Sequence, residues 1–201
     1  MGKAEDNKRK KRTALLSQAF SLFMNKGITN TTISEIVEQA DVAKGTFYIY
    51  FKDKDDLIEK LIAQKAEQLL MNALEILNKH PETIKVEDKL VLIADSLLEQ
   101  LNSDYRLLKF INKNLNYGIY KKALLNEEVK SDFDVMASYY EILHSDGSEW
   151  KDPVLMLYTI VELVSSTCHS IILEQDPVDL EYYKPYLFAC IQKIVDVFRV
   201  K

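Results

Sequence analysis

Hydrophobic positions recur along this chain at helical spacing, with no sustained strand-like alternation. Leu16, Phe20 and Phe23 share one seam, widened by Leu15, Ala19 and Leu22, and predict a helix from about Lys10 to Asn25. Lys26-Gly27 supplies a stop, with a cation at the negative end of the helix dipole and a glycine free to take a left-handed cap. Ile33, Ile36, Val37 and Ala40 then fall at i, i+3, i+4 and i+7, one apolar stripe on a short second helix. Thr32 with Glu35 three residues later is a capping-box pattern that starts it. Asp41-Val42-Ala43 reads as a three-residue connector whose Val42 plugs the corner. A third short helix, Lys44 to Phe51, turns Phe47 and Phe51 inward. At about 100° per residue its opposite face carries Gly45, Thr46, Tyr48 and Ile49, with Lys44 and Tyr50 on the flanks.

Asp53 is placed to cap a fourth helix that begins at Lys54 and keeps its apolar rhythm to about Asn78, where His80-Pro81 ends it. Further amphipathic helices are predicted over Val86–Asn102 and Asp104–Asn114. A long one spans Gly118–Leu143, although Asn126–Asp132 is polar enough to hide a break. Ser145 to Asp152 is a loop. Pro153 suits the first position of the next helix, capped by Asp152 and running to about Gln175. The last helix covers about Asp179–Phe198. These two carry more apolar surface than one partner helix covers, which points to an intersubunit four-helix bundle. The fold class is therefore all-α: a three-helix N-terminal domain over 1–52 and a larger helical domain over 53–201.

Composition changes this picture only through its asymmetry. Hydrophobic residues at 47% and charged residues at 28% are ordinary globular values. The net charge of −5 argues against a nucleic-acid partner until it is divided along the chain. Residues 1–54 hold ten Lys/Arg against six Asp/Glu, a net +4, which leaves −9 for the remainder. A basic head on an acidic body fits a phosphate-contacting module joined to a regulatory domain. Residues 1–11 read as a frayed basic arm that reaches phosphate or the minor groove, or serves solubility. Cys168 and Cys190 form neither a zinc pattern nor a disulfide framework, and both read as buried thiols. No leader and no bilayer-spanning apolar run is recognised, so a cytoplasmic location is expected, with no membrane partner.

A short helix backed by aromatic residues and fronted by small, hydroxylated and basic groups suits a DNA major groove. The full stretch GITNTTISEIVEQADVAKGTFYIYFKDKDDL resembles the DNA-binding signature of the TetR family of bacterial transcriptional regulators. The likeness runs from about Arg12 to Leu57. It combines a Gly-x-x-x-Thr-Thr entry, an Ala-x-Val-x-Lys-Gly-Thr turn and a Tyr-x-Tyr-Phe-Lys-x-Lys exit in fixed spacing. It implies a helix-turn-helix domain, dimerisation through the last two helices, and a ligand signal carried by the fourth. Thr32, Ser34, Tyr48, Tyr50 and Lys54 are candidates for phosphate contacts, which set register. Lys44 and Thr46 are candidates for base edges, and Ile49 for a thymine methyl. Gly45 matters through its missing side chain, which lets backbone approach the duplex.

No catalytic arrangement is legible: there is no Ser-His-Asp motif, no His-Glu-x-x-His and no glycine-rich phosphate loop. No metal site and no cofactor is expected. The second domain offers Tyr105, Phe110, Tyr117, Tyr120, Phe133, Met136, Tyr139, Tyr140, Met156, Tyr158 and His169 to a small-molecule pocket, and Glu162 lies two helical turns from His169. Aromatic residues at helical spacing are more often core, so no ligand contact is assigned. The expectation is a homodimeric regulator, a repressor, that binds a palindromic operator and is released by a small-molecule effector. The alternatives are an activator or a regulator working through a protein partner without an inducer, or a helical binding or scaffold protein that has lost DNA affinity.

Overall fold

A computed structural model of the chain describes residues 2–114 and 134–200. Their architecture is helical: α1 (Lys3–Lys26), α2 (Ile33–Gln39), α3 (Lys44–Tyr50), α4 (Lys54–Asn78), α5 (Val86–Ser103), α6 (Tyr105–Asn114), α7 (Val135–His144), α8 (Pro153–His169) and α9 (Leu180–Phe198). The chain packs as two compact units, Met1–Gln64 and Lys65–Lys201, and the boundary between them falls inside α4. The first turns of α4 are fastened to the residues before them. Asp53 Oδ1 accepts from Asp56 N–H at 2.8 Å, and Lys60 Nζ donates to Tyr50 O at 3.1 Å and Asp56 Oδ2 at 2.9 Å.

In the N-terminal unit, α1 begins at Lys3, where a frayed arm was expected up to Lys11. Its inner face buries Leu15, Leu16, Ala19 and Phe23. Gly27 closes it with φ +84°, a value that disfavours any residue with a Cβ, and its N–H returns to Phe23 O at 3.0 Å. Ile36 and Val37 from α2, Phe47 from α3, Phe51 and Leu57 complete this core. Fully burying each of these large side chains contributes about 1.5–3 kcal/mol.

The second unit is built on α5, α8 and α9. α9 packs on both α5 and α8, and α6 bridges α5 and α8. Asp134 caps α7 by accepting from Ala137 N–H at 2.9 Å. The expected Gly118–Leu143 helix is therefore described only over its last part; residues 115–133 lie outside the described residues. Asp152 Oδ1 accepts from Leu155 N–H at 3.0 Å, with Pro153 opening α8, as the sequence pattern requires. The α-helix ends at His169, and Ser170–Glu174 continue as a π turn. Gln100 ties the later turns of α4 to α5, donating to Leu69 O at 3.0 Å and accepting from Asn72 Nδ2 at 2.8 Å.

Two charged clusters lock the ends of this unit. Arg199 pairs with Glu87 on α5 at 2.6 Å and with Asp146 at 3.2 Å, and lies 4.8 Å over the Trp150 ring. Lys184 on α9 sits among Asp95 at 2.9 Å, Glu99, and Glu181 at 3.3 Å. Burial opposes its charge, but the carboxylates of Glu99 and Asp95 outweigh that and raise its pKa.

Candidate nucleic-acid interface

The α2–turn–α3 segment is held by local hydrogen bonds that the sequence encodes at short range. Thr32 Oγ1 accepts from Glu35 N–H at 3.3 Å, while Glu35 Oε2 accepts from Thr32 N–H and from its hydroxyl, both at 2.8 Å. Lys26 donates to the other carboxylate oxygen. These bonds, Lys26 first and then Thr32, hold the Glu35 carboxyl near a pKa of about 2 against an ordinary value of 4.5. A depressed carboxylate pKa adds stability above the ordinary value that is lost as pH falls. Amide-exchange protection of α2 should therefore drop between about pH 4.5 and about 2, and Glu35→Gln should flatten that drop. Thr32→Ala, which removes the cap, should cost about 1 kcal/mol in thermal or denaturant melts.

The turn is a Schellman motif. Val42 N–H donates to Val37 O at 3.0 Å and Asp41 N–H to Glu38 O at 3.2 Å, with Asp41 in the left-handed region at φ +50°. Aspartate is one of the few non-glycine residues that enter this region readily. The sequence marked the connector but not this conformation, for which the aspartate itself was the available signal. Val42 is half-buried at the corner.

On α3 the inward residues are Phe47, with no exposure, and Phe51 at the cap, with 1%; their ring centroids lie 5.3 Å apart. The outward side presents Lys44, Gly45, Tyr48 and Ile49, with Tyr48 53% and Ile49 71% exposed. Thr46 and Tyr50 are half-buried at the flanks. Gly45 has ordinary backbone angles, and a Cβ built there meets no atom within 4 Å, so the chain's own packing gives no reason for glycine at this position. Ser34 is exposed on α2.

Two of the sequence candidates have other tasks. Lys54 Nζ donates to Ile28 O at 3.0 Å and Thr31 O at 3.1 Å, which fastens the start of α4 to the 28–31 turn. Its ammonium is committed to backbone carbonyls rather than held out toward a phosphate. Thr32 uses both its hydroxyl and its N–H in the capping box.

The aromatic candidates of the second unit divide in the same way. Phe110, Tyr139 and Met156 are buried, and Tyr139 donates to Pro153 O at 2.8 Å, with burial pushing its phenol pKa up. Tyr105 is 51% exposed, and Met136, Tyr140, Glu162 and His169 are half-buried. Tyr117, Tyr120 and Phe133 lie outside the described residues. A solvent-open cleft of about 550 Å³ is lined instead by residues such as Met71, Leu74, His80, Lys89, Ser138 and Glu141. Cys168 is buried, which raises its thiol pKa to about 11, whereas Cys190 is exposed and corrects the expectation of two buried thiols. The stretch Pro153–Glu174 is long and apolar enough to cross a membrane by length and composition, contrary to the sequence reading, and 28% of its most apolar 18-residue window is buried.

Residues 15–61 match the model of the bacterial regulatory proteins of the tetR family. The chain belongs to the TetR family. The fatty acid metabolism regulator protein of Bacillus subtilis is 26% identical, with 81% of this chain and 98% of the relative covered. The transcriptional repressor BepR of Brucella suis is 23% identical over 66% of this chain and 64% of its own length. Among solved structures, the fatty acid degradation regulator FadR of Bacillus halodurans shares the fold at a TM-score of 0.61 and 21% identity, covering 90% of this chain and 97% of its own. FadR of B. subtilis in complex with stearoyl-CoA does so at 0.54 and 21%, covering 89% and 96%. This TetR-family protein is thus a transcriptional regulator, with α2 and α3 as its helix-turn-helix.

Proposed function

We propose that this TetR-family regulator is a repressor whose homodimer places two copies of α3 in successive major grooves of a palindromic operator. The observation that carries the reading is the division of α3 into a buried phenylalanine side and an exposed side of Lys44, Gly45, Tyr48 and Ile49. Glycine in a helix costs about 1 kcal/mol relative to alanine. Gly45 carries that cost with no internal neighbour to justify it, as expected where backbone must come close to a duplex.

Dimerisation is supported by the outer side of α9. Tyr182, Tyr186, Ala189, Cys190 and Val197 are exposed along one helical face, opposite the buried Leu187, Ile191 and Val195. The low burial of the apolar α8 stretch, which also exposes Val154 and Leu155, fits an intersubunit bundle better than a bilayer. In this reading residues 1–52 contact DNA, residues 53–201 bind the second subunit and the effector, and α4 runs from one to the other.

For the effector, the fatty acid regulator of B. subtilis, similar over nearly its whole length, favours an acyl-CoA. Release needs the ligand to prefer a dimer whose reading helices are wrongly spaced, and a coupling of about 1–3 kcal/mol changes affinity 5- to 150-fold.

Mobility shifts with the operator test the reading. Lys44→Ala should weaken binding by about 1–3 kcal/mol if it contacts a guanine edge, and Tyr48→Phe should weaken it by removing a hydrogen bond to phosphate. Both variants should melt as the unmodified chain does. Unchanged affinity in both dismisses the assigned face. Stearoyl-CoA should release the operator from the unmodified protein; failure to do so excludes that effector while leaving the DNA reading intact.

A further inference from the structure

The helix-turn-helix body carries the wrong charge for its partner. Residues 13–64 hold five Lys against seven Asp/Glu, whereas residues 1–12 hold six Lys/Arg against two Asp/Glu. Three of the five lysines are engaged within the unit: Lys26 with Glu35, Lys60 with Asp56, and Lys54 with two carbonyls. Lys44 and Lys52 are the exposed ones. A body with net charge −2 does not attract a polyanion at long range.

The missing attraction lies on α1. Lys8, Arg9, Lys10, Lys11 and Arg12 occupy consecutive helical positions, and at about 100° per residue five of them encircle the axis. All are exposed except Arg12, which is half-buried, and Arg9 makes a 3.7 Å exposed pairing with Asp6. The buried seam of Leu15, Leu16, Ala19 and Phe23, continued backwards at helical spacing, runs onto Arg12 and Lys8. These turns therefore have no apolar face to pack. Solubility does not account for them, because in a chain of net charge −5 each added cation moves the protein toward neutrality.

We propose that Lys8 to Arg12 form a basic collar that contacts DNA phosphates and supplies most of the electrostatic affinity, while α3 supplies sequence choice. This rests on the DNA-reading role proposed above. Each phosphate neutralised releases counterions, so the collar acts equally on any duplex and its contribution falls as salt rises.

The test replaces all five cations by glutamine in the full-length chain, which keeps helix propensity and side-chain length, with circular dichroism to confirm α1. Binding to operator and to scrambled duplex is titrated by fluorescence anisotropy across salt concentrations, beside Lys44→Ala. The collar variant should bind both duplexes more weakly by the same factor, roughly tenfold or more at low salt. Its slope of log K against log salt should be shallower by about 0.9 for each phosphate it no longer neutralises, about 2 or more per protomer. Lys44→Ala should instead lower the ratio of operator to scrambled binding. If the five-site variant loses helix, Lys10→Gln with Lys11→Gln should show the same change at smaller amplitude. A slope unchanged in the folded variant overturns the collar. Absence of salt-dependent binding by the unmodified protein to either duplex overturns the DNA reading, and the collar with it.

Discussion

Replacing Phe47 by alanine should unfold the reading module while leaving the second unit helical. Phe47 is fully buried, with its ring against Phe51 and Tyr48 at centroid distances of 5.3 Å in both cases. Removing a buried phenylalanine costs about 3–5 kcal/mol, a large share of what a unit of this size holds in reserve. α3 has seven residues and no side-chain cap at its start, so it cannot persist without this packing. Ile49 lies two residues on, is apolar too, and faces the other way. Ile49→Ala should change stability by no more than about 0.5 kcal/mol. Amide exchange resolves the outcome: protection in α2 and α3 is lost in the first variant and kept in the second, and α5 and α9 keep theirs in both. Loss of protection in the Ile49 variant with retention in the Phe47 variant would mean that the inside and outside of α3 are assigned the wrong way round.

Tyr186→Asp should turn the protein into a folded monomer with little operator affinity. Tyr186 is 60% exposed in the single subunit, beside Tyr182 at a ring distance of 5.6 Å, so its loss leaves the inner face of α9 untouched. In a symmetric interface each subunit presents the same patch, and the new carboxylates are desolvated on both sides at once. Sedimentation should report a monomer with the melting behaviour of a folded chain. Operator binding should weaken by about 10²- to 10⁴-fold, since two linked readers exceed one by that order. A dimer of unchanged strength moves the interface away from this face.

The features legible in the sequence were those decided by near neighbours. The Thr32–Glu35 capping box, the Asp53 and Asp152 caps and the inward turn of Phe47 and Phe51 each follow from spacings of three or four residues. What escaped depended on distant partners or on backbone geometry. Nothing local in the sequence shows that the carbonyls of Ile28 and Thr31 meet the Lys54 ammonium. The Arg199 cluster joins residues 87, 146 and 199, a constellation with no sequence signature. The helical start of α1 was missed because a cationic run with no apolar seam gives no periodic signal. Cys190 was expected inside from its apolar neighbours, yet it shares the outer side of α9 with Tyr182 and Tyr186.

The most direct measurement is selection from a pool of random duplexes by the unmodified full-length protein, followed by sequencing. An inverted repeat should be enriched, its half-site centres one helical turn of about 10 base pairs, or a multiple of it, apart. The same selection with Lys44→Ala should relax the bases within each half-site and keep the spacing. A folded dimer that enriches no sequence, or a single unrepeated site, would contradict the outward face of α3 as a paired reader of DNA.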